Sequence, residues 1–154
     1  MMKPLMAAMA VALLASGANA ESMVISANGS RPTVNGPEAI FTGSVTVDPQ
    51  YEPNEHTSNS GALVAFTPGA RSAWHSHPAG QVLIVQSGVG WIQEAGAPKR
   101  EIKPGDVVWT PPGVKHWHGA TATNGMSHLA ITNTVEGRNA TWMEKVSDEQ
   151  YHGM

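Results

Sequence analysis

Cysteine is absent from all 154 residues, so neither a disulfide nor a thiolate metal site can form in this chain. Any metal must be held by imidazole, carboxylate, amide or water. Charge is also scarce, with Asp, Glu, Lys and Arg making up 14% of the chain and a formal net charge of −3. No Lys/Arg run occurs, which removes the electrostatic footprint of a nucleic-acid or anionic-lipid binder. Convincing helical periodicity is missing until the last residues. Only one apolar run stands out, from Leu5 to about Ala15.

That run lies within "MMKPLMAAMAVALLASGANA", with Lys3 before it and small residues after it. These are the parts of a secretory signal, with cleavage expected after Ala20. The run is too short and too Ala-rich for a good membrane span. Residues 1–20 are therefore read as a signal peptide and 21–154 as one domain, long enough to bury a core of its own. Loss of Lys3, the only charge in the segment, takes the net charge to about −4. The mature chain is expected to be secreted or periplasmic, with no membrane attachment and no nucleic-acid partner.

What the chain does have is a succession of short β-rich segments. "AIFTGSVTV", "ALVAF", "RSAWHSH", "QVLIVQ", "WIQEA", "DVVWT" and "MSHLAITN" are separated by Gly/Pro punctuation such as "SGVG", "KPGD" and "PPGV". Many short strands with turn signals every 8–12 residues point to an all-β sandwich or barrel. Between them "QYEPNEHTSNS" reads as a polar connection that carries His56, a solvated loop histidine by default. Near the C-terminus Ser147-Asp148-Glu149-Gln150 has the pattern of a capping box for a short helix.

The densest chemistry is in "WHSHPAGQ". Side chains alternate faces along a strand, so His75 and His77 point the same way. "PAG" reverses the chain and Gln81 opens the return strand, where its amide oxygen can meet the two imidazoles. His116 follows the rigid turn "TPPGVK", in which Pro111 and Pro112 fix φ and Gly113 permits a conformation closed to other residues. Three imidazoles and one oxygen suit a divalent first-row metal and leave coordination positions open.

The spacing Gly69-x5-His75-x-His77-x3-Gln81-x6-Gly88 resembles the first motif of the cupin family, and Gly105-x5-Pro111-x-Gly113-x2-His116 resembles the second. The resemblance implies a double-stranded β-helix, a small jelly-roll-like barrel with the metal inside. Two positions depart from the usual motifs. Gln81 stands where a glutamate is common, and Ala120 where the second motif often ends in asparagine. An amide in place of a carboxylate leaves the metal a stronger Lewis acid and a less tightly held one.

The text around the motifs narrows the likeness. "ARSAWHSHPAGQVLIVQSGVGWIQ", "EIKPGDVVWTPPGVKHWHGATAT", "MSHLAI" and "WMEKVSDEQY" are similar to the small single-domain bacterial cupins that act as manganese-dependent (R)-selective hydroxynitrile lyases. These are often labelled carboxymuconolactone-decarboxylase-associated cupins. Their ligand set is also three histidines and one glutamine. The resemblance implies one divalent transition metal, manganese first, with iron, zinc, nickel or copper as alternatives. It implies a small-molecule substrate and a homo-oligomer, dimer or tetramer.

Beyond the ligand set, Met126, His128 and Ala130 share one strand face, and the resemblance places His128 facing the metal as general base or acid, an imidazole titrating near neutrality. Ala62 and Val64 match positions that line the substrate cavity, although ordinary sheet packing would give the same alternation. His118 is read either as a hydrogen-bond partner behind the site or as a surface or interface histidine. Trp91, Trp109, Trp117 and Trp142 are expected in the core or at subunit contacts, and Arg71 as a surface charge. Three function classes follow. One is cleavage of a cyanohydrin to aldehyde and cyanide, another a quercetinase-like dioxygenase, and the third a non-enzymatic barrel that holds a small ligand.

Overall fold

The computed structural model describes residues 21–153, so the expected signal segment lies outside the described residues. Among the described residues, thirteen strands and one short helix follow one another. The first sheet contains β1 (Val34–Asn35), β3 (Val45–Tyr51), β4 (Asn59–Phe66), β12 (Met126–Asn133), β7 (Gln81–Gly88) and β10 (Val107–Thr110), hydrogen-bonded in that order. The second runs β13 (Thr141–Trp142), β6 (His75–Ser76), β11 (His116–Ala120), β5 (Arg71–Ser72) and β2 (Phe41–Thr42). β8 (Gly90–Glu94) pairs with β11 and carries β9 (Arg100–Ile102). All pairings are antiparallel, as short connections demand.

Period-two patterning in the first sheet gives the molecule its inside. Leu83 and Val85 of β7, Val64 and Phe66 of β4 and Met126 of β12 are buried with Ile92, Ile102 and Ala120 of the second sheet. A slip in the ladder keeps this face consistent. Ser127 pairs with Ser87 but His128 pairs with Val85, so Gln86 is the extra residue of a bulge. Met126 thereby falls opposite Gly88, and His128 and Met126 both stay inward. Gly88 has φ +72°, and a Cβ there would run into the Gly125 carbonyl oxygen. Gly88→Ala is therefore expected to cost about 1–3 kcal/mol through backbone strain alone, with the collision added. Thermal unfolding would show the Tm falling by several degrees.

β11 is buried on both faces. Its inward residues join the barrel interior, while Trp117 packs outward with Trp74, Val146 and Tyr151. That cover ends in α1 (Asp148–His152), which has the expected capping box of Ser147 and Gln150. Arg71 is not the surface charge its residue type suggested. Only 5% exposed, it donates through Nη2 to the Val146 carbonyl at 2.9 Å and to Asp148 at 2.7 Å, with Tyr151 stacked 4.4 Å away. Partners for its charge and its donors make the burial tolerable. Trp117 belongs to the core as expected, whereas Trp109 is exposed on the edge strand β10.

Two other expectations change. "AIFTGSVTV" is not one strand, because Gly43 turns the chain at φ +78° between β2 and β3. The polar connection is shorter than 50–60, since β3 runs through Tyr51, whose ring lies against Gly61 of β4. What remains is a turn in which the Asn54 side chain accepts from the His56 and Thr57 amides. No helix among the described residues is long and apolar enough to cross a membrane.

Candidate metal centre and cavity

The polar end of the barrel interior is built by five strands that bring distant residues level. His116 of β11 is the pairing partner of His75 of β6. Gln81 of β7 pairs with Thr132 of β12 on one side and Thr110 of β10 on the other. The Pro111–Gly113 turn is tied down by the Gly113 amide, which donates to the His77 carbonyl at 3.0 Å, with Gly113 at φ +77°. Both motifs thus meet in space through this bond and through the pairing of β6 with β11 and of β7 with β10.

Three of the imidazoles are held in the same manner. Nδ1 of His75 lies 2.9 Å from the Ala73 carbonyl, Nδ1 of His77 2.6 Å from that of Asn139, and Nδ1 of His116 3.0 Å from that of Val114. A carbonyl only accepts, so each Nδ1 carries the proton and each Nε2 is left as a lone pair. The Gln81 amide nitrogen donates to Thr132 Oγ1 at 3.1 Å, which leaves Oε1 free. Nε2 of His77, Nε2 of His116 and Oε1 of Gln81 are buried with no protein partner. Burying acceptors without donors is costly, and a divalent cation among them removes that cost. The donor set fits such an ion.

His118 is the residue that sequence reasoning left undecided. It is buried rather than on the surface, on the same face of β11 as His116, as the spacing of two requires. One nitrogen from each of His75, His116 and His118 lies within a cluster no wider than 4.8 Å. The His77 ring sits 5.0 Å from that of His75 and 5.4 Å from that of His116. Nε2 of His128 is 3.0 Å from Nδ1 of His118, and Phe66 lies under both rings at 5.5 and 5.9 Å. The outer nitrogens of this pair, Nε2 of His118 and Nδ1 of His128, are buried and unpartnered.

Burial dominates the electrostatics. It lowers His77, pushes His116 down to about 4, and holds His75 well below the usual imidazole range with help from the neighbouring His116. His118 is depressed by burial and then by His128, and His128 is pushed down to about 4 by burial. The near-neutral titration expected for His128 is therefore corrected, because a fully buried ring pays too much to charge. Burial thus favours the neutral form of all five rings, the form that can coordinate or accept a proton.

All of these rings except His116 line a cavity of about 300 Å³. His75, His77, Gln81, His118 and His128 supply its polar wall, and Ile40, Phe41, Val47, Ala62, Val64 and Ala130 its apolar wall. Ala62 and Val64 thus face the cavity. Trp142 covers His75 at 4.5 Å between ring centres. Trp142, Thr132 and the Asn139 carbonyl were not singled out from sequence as site groups. Thr132 shares the alternation of His128 and Ala130 and was readable, whereas the 139–142 strap reaches the site only through tertiary structure. His56 is elsewhere, on the surface beside Glu21 and Glu55. A depression of about 340 Å³ bordered by Ile92, Arg100, Trp109 and Val114 touches only His116 among the histidines. None of the free acceptors other than that of His116 belongs to it.

Comparison with known proteins agrees with this architecture. Residues 62–132 match the model of the cupin domain. The chain is 51% identical over 129 residues to an (R)-mandelonitrile lyase from Granulicella tundricola, covering 84% of this chain and 98% of that one. The chain belongs to the cupin family. Among solved cupins it is similar to a cupin-like protein from Thermotoga maritima, at TM-score 0.73 and 42% identity over 77% of this chain and 90% of that one. A cupin-2 domain from Rhodospirillum rubrum matches at TM-score 0.64 and 19% identity, covering 81% of each chain, and supports the fold alone.

A cupin with glutamine at position 81 carries a specific expectation. Gln81→Glu adds a charge that the cation would neutralise, while Thr132 can still satisfy the carboxylate by donating its hydroxyl. Without metal the variant is expected to unfold at a lower temperature, because a buried carboxylate is left among neutral rings. Metal should then raise its Tm further than it raises that of the parent. Equal metal-induced shifts would show that position 81 does not face the cation.

Proposed function

We propose that this cupin is a hydroxynitrile lyase-type enzyme that splits a cyanohydrin into an aldehyde and cyanide and joins them in reverse. The observation that carries the reading is one cavity with two distinct polar groups against an apolar wall. One is a set of lone pairs from His75, His77 and Gln81 on the cavity wall, with His116 behind them as the pairing partner of His75, together fit for a single divalent metal, manganese first among candidates. The other is the buried imidazole of His128, which lines the same cavity and whose Nδ1 has no protein partner. The (R)-mandelonitrile lyase relative, 51% identical, supports the same reaction class.

When bound, the cation supplies a Lewis acid that steadies negative charge on the substrate oxygen. The protein's own groups do the rest. Nδ1 of His128 takes the proton of the substrate hydroxyl. As the oxygen electrons form the carbonyl, the carbon–carbon pair leaves with cyanide. The protonated His128 then returns its proton to cyanide, and hydrogen cyanide departs. Val64, Ile40 and Val47 hold the organic substituent by exclusion from water. A cavity near 150 Å³ is known to hold a benzene ring, so about 300 Å³ has room for an arylcyanohydrin.

The test is cyanide release from mandelonitrile by manganese-loaded protein in the absence of oxygen. The reading expects turnover that is unchanged when oxygen is admitted. Turnover only with oxygen would mark a dioxygenase, and none under either condition would leave a binding protein.

A further inference from the structure

The His118–His128 contact contains a constraint on protons. Two neutral imidazoles joined by one hydrogen bond share a single proton between Nδ1 of His118 and Nε2 of His128, 3.0 Å apart. If His128 Nε2–H donates, His128 Nδ1 is a lone pair, and the remaining proton of His118 must be on its Nε2. If His118 Nδ1–H donates, the outer nitrogens exchange roles: His118 Nε2 becomes a lone pair and His128 Nδ1 carries a proton. His118 as a metal ligand and His128 as a base are thus mutually exclusive.

The geometry distinguishes His118 from the other rings. His75, His77 and His116 each anchor Nδ1 on a backbone carbonyl, which forces the proton onto Nδ1 and the lone pair onto Nε2. His118 has no carbonyl there. Its Nδ1 meets an imidazole, the one partner among these that can donate as well as accept. We infer that His118 is a positioning residue and not a metal ligand: its Nδ1 accepts the His128 Nε2–H and so keeps His128 Nδ1 unprotonated toward the cavity. Its own buried Nε2 then carries the proton, in a ring 5.2 Å from that of His75 and 5.8 Å from that of His116. This deepens the lyase reading and rests on it for the role of His128. The proton arrangement itself does not depend on the substrate.

Three measurements decide it. In ¹⁵N-histidine spectra of the zinc-loaded full chain, a diamagnetic probe, His128 is expected as the Nε2–H tautomer with Nδ1 bare. The opposite tautomer overturns the inference without any variant. His118→Asn offers an amide oxygen in place of Nδ1 and should keep that tautomer. His118→Phe fills the space without an acceptor and should lose it. Metal affinity is expected to fall by less than about 100-fold in both variants, within what an outer partner costs. A larger fall in both makes His118 a ligand and overturns the proposal. Cyanide release should drop ~10²–10⁴-fold in His118→Phe and be rescued to within about tenfold of the parent in His118→Asn. Equal losses with the His128 tautomer unchanged reduce His118 to packing and also overturn it. If the parent releases no cyanide, the lyase reading fails, yet the tautomer and affinity results still decide the role of His118.

Discussion

A chain with alanine at both positions 75 and 77 is expected to bind no divalent metal tightly and to release no cyanide. The two imidazoles contribute half of the proposed ligand set, and the remaining Gln81 oxygen and His116 nitrogen cannot hold a first-row cation in competition with water. The barrel should survive, because neither side chain is what pairs the sheets. The ladder joining β6 to β11 and β13 runs through backbone groups. Some stability will go, since His75 packs beneath Trp142 and its removal leaves a void there. Elemental analysis of the purified variant, beside circular dichroism to show that it is folded, checks this directly. Full metal content in a folded double variant would move the site to other residues.

Loss of the base should be as large in rate but leave the metal in place. His128→Ala is expected to keep full metal content and to slow cyanide release by about 10²–10⁴-fold, the usual worth of a positioned acid or base. The pH profile makes the assignment specific. Burial pushes His128 down to about 4, so its basic form is already complete at neutral pH. Activity should be flat between about pH 5 and 7 and fall as pH drops through about 4, where protonation removes the lone pair. The sign follows from a depressed pKa, which favours the neutral ring over a wider range than in water. His116 is also pushed down to about 4, so metal content must be followed over the same range. An acid limb near 6.5 in a fully metal-loaded enzyme would point to an exposed imidazole as the base. Cyanide release that His128→Ala leaves unchanged would remove the mechanism and leave the ligand assignment standing.

Much of this protein was legible without coordinates because strands encode themselves locally. Alternation and Gly/Pro turns were enough for an all-β barrel, and the two motif spacings singled out His75, His77 and His116, whose ring centres lie within 5.4 Å of one another. Period two put Ala62 and Val64 on one face, and His128 with Ala130 on another, all of which line the cavity. The capping box gave the one short helix, since a cap is satisfied within four residues.

What the sequence could not decide depends on burial and on partners far away in the chain. Arg71 looked like a surface charge until Val146, Asp148 and Tyr151 came round to satisfy it, some 75 residues later. His118 had two open readings because local pattern gives its direction but not its depth or its neighbour. Only the packing of β11 beside β12 brings it to His128. The His77 anchor at the Asn139 carbonyl and the Trp142 cover come from a strap that no periodicity connects to the motif. The protonation of His128 belongs to the same class. Its residue type sets an ordinary imidazole value, and only the cost of charging a ring with 0% exposure moves it to about 4.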